Sequence, residues 1–303
     1  MLFWTSALQV AAKMDRMKTA ETKLLALARE FGDREPYSYK ITTMDTSIPR
    51  TSVFPSLLLL QDKSNKGEEE DALTIHAVKV QSVSDDKNKK KKTPLVLLHG
   101  YMNAAAYFYR NLVGLTHYFE SVYSLDMLGW GLSSRPDFHL VDQNNNSNTK
   151  EHKDDIQLAE DFFVESLEAW RVRNHIDKMI LAGHSMGGYM SVAYAERYPQ
   201  HVEQLLLISP VGVPEESPDV MARRDAMSQA SWRFWLLRNL AQNVFRFSSA
   251  GAILRTMPEK QGHSMILNYV QKRLPAITDP HEQYAVAEYL YANNILPGSG
   301  EHC

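Results

Sequence analysis

A serine hydroxyl placed between two glycines is the first group in this chain that could do chemistry: Gly183-His184-Ser185-Met186-Gly187 fits G-x-S-x-G. Such a pentapeptide arises by chance in roughly one chain in ten of this length, so its flanks must decide what it is. The apolar run KMILAGH leads into it, and YMSVAYAERY, with helical spacing, leads out. A strand, a tight turn and a helix in that order make a nucleophile elbow. Gly183 and Gly187 would admit a turn too tight for side chains. The turn would hold Ser185 in a strained backbone conformation with its Oγ exposed. The helix that follows would aim the positive end of its dipole at the site. Ser185 is therefore the expected nucleophile of an acyl transfer.

Two more segments fit that chemistry. His99-Gly100 closes the run PLVLL. The loop after such a strand supplies one backbone N–H of an oxyanion hole, and the residue after the nucleophile supplies the other. Tyr101 and Met186 are the expected donors. Asp126 opens the Gly-rich stretch DMLGWGLSSR and is expected to hold that turn rather than to react. Support of elbow and loops thus falls to His99, Gly100, Gly183, His184, Gly187 and Asp126. No metal and no organic cofactor is expected.

A serine is a poor nucleophile without a positioned base. In this order of elements an acid and then a histidine follow the serine. The downstream histidines are His201, His263, His281 and His302. His201 falls where a helix ends and a strand begins, at the wrong end of a sheet. His263 and His281 lie in helical patterns, and His302 is next to last. The elbow can be read from the sequence; its base and acid cannot.

Such a serine needs a parallel sheet beneath it. Short apolar runs occur at 94–100, 121–126, 178–185 and 203–210, with helical patterns over 104–118, 154–174 and 187–198 between them. Continuous apolar strands alternating with helices predict a mostly parallel sheet covered on both faces, an α/β fold with its site beyond the carboxyl ends of the strands. Upstream, SLLLL (56–60) and LTIHAVKVQSV (73–83) read as strands, and 15–31 reads as a helix. The lysine run SDDKNKKKK (84–92) and the polar tract 142–155 read as loops. Three aromatic helical patterns, 231–245, 264–277 and 281–296, follow Pro210. The expected division is an N-terminal helical, membrane-proximal segment (1–50), an α/β core (51–212) and a helical cap (213–303).

The 303 residues are 44% hydrophobic, enough for a large core. A net charge of −3 argues against a nucleic-acid partner. The single cysteine, Cys303, excludes an internal disulfide. No apolar run reaches the roughly 18 residues of a spanning helix. MLFWTSALQVAAKM reads as a solvated amphipathic helix, as a shallow interfacial anchor, or as a targeting segment.

HGY (99–101), DMLGWGLSSRP (126–136) and GHSMGGYMSVAYAERYP (183–199) together resemble the α/β-hydrolase superfamily. More narrowly, they resemble the subfamily of N-acyl-phosphatidylethanolamine lipases, fungal cardiolipin deacylases and lipid-droplet lipase coactivators. TAETKLLALA (19–28), PVGVPEE (210–216) and FRFSSAGAILRTMP (245–258) are similar to it too. The resemblance implies an α/β-hydrolase fold with a helical cap. It also implies a serine hydrolase or acyltransferase acting on acyl esters of phospholipids or lysophospholipids at a membrane or lipid-droplet surface. The implied location is cytoplasmic and peripheral, with the mitochondrion as an alternative. The coactivators lack the serine that stands here as Ser185.

The family pattern would add two more strands carrying the acid and the histidine, and an H-x-x-x-x-D motif that none of the eleven histidines here begins. The expectation is a chain truncated at its C-terminus, whose strand 203–210 is an uncovered apolar edge and which folds poorly alone. Two other readings compete: a non-catalytic lipid-surface regulator, because the acid and base are missing, and a small-molecule esterase.

Overall fold

The computed structural model describes residues 2–32, 38–53, 72–83, 93–136, 150–212 and 250–298. The expected strand 56–60, the lysine run 84–92 and the helical pattern 231–245 lie outside them, as does His302.

The chain opens with a single long helix, α1 (Leu2–Gly32), twice the span expected at 15–31. β1 (Tyr39–Pro49) and the one-turn helix α2 (Arg50–Val53) follow. Then come β2 (Ala72–Ser82), β3 (Leu95–Leu98), a 3-10 turn (Ala105–Phe108), α3 (Tyr109–Leu115) and β4 (Ser121–Leu125). α4 (Lys150–Arg173), β5 (Met179–His184), α5 (Met186–Arg197) and β6 (Val202–Ile208) complete the alternation. Three helices close the described chain: α6 (Ala250–Thr256), α7 (Glu259–Arg273) and α8 (Pro280–Asn294). The sheet order is β1-β2-β4-β3-β5-β6. β1, β2 and β4 pair antiparallel, while β4, β3, β5 and β6 are parallel. A mostly parallel sheet with helices on both faces is the α/β architecture expected from the alternation.

Side-chain direction explains why the strands read as unbroken apolar runs. In β3, Leu95 and Leu97 enter one core, with α1, α3 and α8, while Val96 and Leu98 enter the other, with α4 and α5. A strand buried on both faces has no polar side to show. The same geometry accounts for the imperfect alternation of β2, where Leu73, Ile75 and Ala77 face one layer and Val78 and Val80 the other.

Three expectations are corrected. β1 has no counterpart in the sequence reading: its Thr-rich, half-exposed alternation disguises an edge strand. The sheet therefore reaches back across residue 50, where the core was expected to begin. The tract 142–155 is not all loop, since α4 starts at Lys150. And α8, from the expected cap, does not merely cover the site: Tyr289, Leu290 and Ala292 are buried in the core with Leu24 of α1 and Leu112 of α3. At the far edge, β6 pairs only with β5 among the described residues, and its Leu207 and Ile208 are exposed.

Candidate active site

Ser185 stands where β5 passes into α5, with φ 54° and ψ −116°. A β-carbon makes positive φ costly, so this conformation must be held by its surroundings. The serine N–H donates to the Ile208 carbonyl at 3.1 Å, and its carbonyl accepts from the Gly188 N–H at 3.0 Å and the Val211 N–H at 3.1 Å. The turn has no room for side chains on either side. A Cβ on Gly183 would lie 2.2 Å from the Gly187 carbonyl oxygen, and one on Gly187 would lie 2.5 Å from the carbonyl oxygens of Leu98 and His99. Ser185 is half-buried, and its hydroxyl makes no hydrogen bond among the described residues.

The loop after β3 comes to the same place. A Cβ on Gly100 would be 3.1 Å from the Ser185 Cβ, so Gly100 passes close to the serine, and Tyr101 follows it in the chain. Met186 is the first residue of α5, and the first amides of a helix have no carbonyl within it to donate to. Tyr101 is 44% exposed and lies edge-on to Trp130 at 5.2 Å between ring centroids. His184 has its Nδ1 near Gly100, without a hydrogen-bond partner among the described residues, and burial lowers its pKa.

The other expected support residues form a closed network. His99 is fully buried. Its Nε2 accepts from the Met127 N–H at 3.1 Å, which leaves the proton on Nδ1 to donate to the Gly100 carbonyl at 2.9 Å. Burial keeps this ring neutral. Asp126 Oδ1 accepts from the Ala105 N–H at 2.6 Å, and Oδ2 accepts from the Leu132 N–H at 2.8 Å. Burial pushes its carboxyl above the ordinary range, opposed by the nearby His76 and the Ala105 amide.

Sequence reasoning missed a cluster behind Asp126. His76 on β2 meets Glu21 of α1 through Nε2 at 3.1 Å and Asp45 of β1 through Nδ1 at 2.6 Å. Burial disfavours the imidazolium, but Glu21, Asp126 and Asp45 outweigh it and hold the His76 pKa at about 10. Ligand atoms of Glu21, His76 and Asp126 lie within 4.8 Å of one another, a spacing that could hold a metal ion. Each is already engaged, however, and a protonated His76 between carboxylates closes the group on itself. No local pattern announces it, because Glu21 and His76 are 55 residues apart.

His76 lies on β2, and β4 and β3 stand between β2 and β5, about 14 Å at the usual strand spacing. Asp126 spends its two carboxylate oxygens on the Ala105 and Leu132 amides. His201 lies at the opposite end of the sheet, beside Asp177 and Arg171. No histidine among the described residues hydrogen-bonds the Ser185 hydroxyl.

A family model described as alpha/beta hydrolase fold matches residues 93–253. Among curated proteins, 1-acylglycerol-3-phosphate O-acyltransferase ABHD5 of Rattus norvegicus is 34% identical over 218 residues, 71% of this chain and 54% of its own. Protein ECM18 of Saccharomyces cerevisiae is 31% identical over 233 residues, 68% of this chain and 50% of its own. A probable 1-acylglycerol-3-phosphate O-acyltransferase of Oryza sativa subsp. japonica is 27% identical over 306 residues, 99% of this chain and 64% of its own. The chain thus spans between half and two-thirds of the length of these relatives. With the strand–turn–helix at Ser185 and the parallel sheet in place, and the family model matching more than half of its residues, the chain belongs to the alpha/beta hydrolase fold family.

Proposed function

We propose that the protein is a serine hydrolase or acyltransferase of lipid metabolism, acting on acyl esters of phospholipids or lysophospholipids through an acyl-enzyme on Ser185. The observation that carries this is the backbone of Ser185, held at positive φ beside Gly100 and the start of α5, with a hydroxyl that makes no hydrogen bond among the described residues. Ser185 Oγ attacks the ester carbonyl and gives its proton to a base. The amides of Tyr101 and Met186 receive the oxyanion, each such donor being worth about a hundredfold or more in rate. The bond to the departing alcohol breaks as that alcohol takes a proton. Water, or the hydroxyl of a second lipid, then takes the acyl group from the serine. No metal or organic cofactor takes part.

The lipid substrate class is supported by kinship with proteins named as 1-acylglycerol-3-phosphate O-acyltransferases. A lipid surface as partner is supported by the direction of α1. Its C-terminal end packs at Tyr39, beside Ser82 at the amino ends of the parallel strands. Glu21 meets His76, level with the end of β4, so the N-terminal part of α1 points toward the Ser185 end of the sheet. The stretch Leu2–Ala12 carries no charged residue, and Leu8 to Ala12 are exposed. No described helix is long and apolar enough to cross a membrane, so contact would be peripheral, at a membrane or lipid droplet.

Turnover separates the possibilities. Lysophosphatidic acid or phospholipid vesicles should yield free fatty acid or a new acyl ester at a rate that Ser185→Ala abolishes. Preference for a short-chain ester over lipid would point to a small-molecule esterase. No turnover of either, with Ser185 unreactive, would point to a lipid-surface regulator.

A further inference from the structure

The turn that brings Tyr101 to the serine is itself strained. Met102 adopts φ 63°, in the left-handed region that a residue with a Cβ enters only when held there. Asn103 N–H donates back to the Gly100 carbonyl at 3.1 Å and closes the turn locally. The remaining polar atoms are met from 190 residues away, at the carboxyl end of α8. Asn294 Nδ2 donates to the Met102 carbonyl at 2.8 Å and to the Leu290 carbonyl at 2.7 Å. Asn293 Nδ2 donates to the carbonyls of Met102 and Asn103, both at 3.1 Å, while its Oδ1 accepts from the Gly131 N–H at 2.8 Å. Both side chains are buried, at 1% and 3% exposure.

Four of the five hydrogen bonds made by these two amides go to the loops after β3 and β4, and the fifth goes to the Leu290 carbonyl within α8. The Met102 carbonyl receives two donors, one from each asparagine. Asn293 also clamps Gly131, on the turn that Asp126 organises. Arg135 extends the clamp from the other side, donating to the Gly131 carbonyl at 2.8 Å and to Pro297 just beyond α8 at 2.7 Å.

We propose that Asn293 and Asn294 are positioning residues for the acyl-transfer site: they hold Met102 in its left-handed conformation and thereby fix the Tyr101 amide against Ser185. This rests on the proposed role of Tyr101 as an oxyanion donor. Neither asparagine touches the substrate. Their effect reaches the chemistry through one peptide group, so it falls on the transition state and not on lipid binding.

The test is Asn294→Ala, with Asn293→Ser as a milder second variant should the first fail to fold, each measured in two ways. On the lipid ester, kcat should fall about ten- to a hundredfold, with KM within about twofold, the signature of a displaced oxyanion donor. Hydrogen exchange should quicken in the peptide covering residues 100–108 while that covering α5 keeps its rate. A variant with unchanged kcat, or with exchange raised uniformly, would overturn the proposal and leave the asparagines as ordinary packing groups. If the parent protein reacts with no fluorophosphonate at all, the reading of Ser185 has failed and the catalytic role of the pair falls with it. Exchange at 100–108 would then report only whether the pair holds the turn.

Discussion

Two polar regions lie at the carboxyl ends of the strands, and they treat their polar atoms in opposite ways. At the end of β4, every reactive-looking group is closed off. Asp126 accepts two backbone amides, His99 is used at both ring nitrogens, and His76 is held between Glu21 and Asp45. At the end of β5 the opposite holds: Ser185 carries backbone strain, and its hydroxyl makes no hydrogen bond among the described residues. A buried polar group left unpaired costs stability. A protein therefore satisfies its structural groups and leaves open those that must meet a ligand. By that criterion Asp126, His99 and His76 are structural groups, and Ser185 is the group left open to a ligand in the proposed function.

The contrast yields four expected outcomes. The largest concerns the elbow itself. Gly187→Ala puts a Cβ 2.5 Å from two carbonyl oxygens of the β3 end. Backbone cannot retreat cheaply there, so a loss of more than about 3 kcal/mol is expected, read as loss of soluble protein or a collapsed melting temperature. A variant that melts like the parent would mean the turn is looser than described.

Next is Asp126→Asn, which keeps the volume but offers one acceptor oxygen where two amides need one each. About 3 kcal/mol should be lost in denaturant unfolding. If instead stability held and only lipid turnover vanished, Asp126 would be acting as a catalytic acid.

His76 gives a pH signature. Its folded pKa of about 10 lies above the value near 6.5 of a free histidine. Its stabilisation is therefore complete below about pH 6.5 and is lost as pH rises through about 10. The protein should weaken over that window, and His76→Gln should flatten the slope. A slope unchanged by the substitution would assign the titration elsewhere.

The smallest effect is expected at His201→Ala. This ring is at the far end of the sheet, against the Asp177 carbonyl, so Ser185 reactivity should be unaltered and stability should change by less than about 1 kcal/mol. Loss of serine reactivity would overturn the placement of the site.

What could be read beforehand follows from the range of the signals. β3 and β5 show as apolar runs because both of their faces are buried, and the elbow shows because steric demands confine glycine to fixed offsets from one serine. β1 does not show, because an edge strand with Thr42, Thr43 and Thr46 looks like a polar connector until its partner is known. MLFWTSALQVAAKM and the pattern 15–31 read as two segments and are one helix, because a sequence window shows an apolar face but not whether two neighbouring windows run on without a break. The asparagine clamp and the His76 cluster were out of reach for a different reason. They join residues 31 to 192 positions apart through side-chain atoms and the polar groups those atoms meet, and no local periodicity encodes such a contact. A base for Ser185 escapes the sequence for the same reason, since a base is defined by where it stands and not by the residues around it in sequence.

Labelling with a fluorophosphonate, mapped by peptide mass spectrometry, tests the central claim most directly. One adduct on Ser185, abolished in Ser185→Ala while the melting temperature stays within a degree or two of the parent, is the predicted result. No adduct on the folded protein, or an adduct that persists elsewhere in Ser185→Ala, would contradict it and leave the elbow as architecture without chemistry.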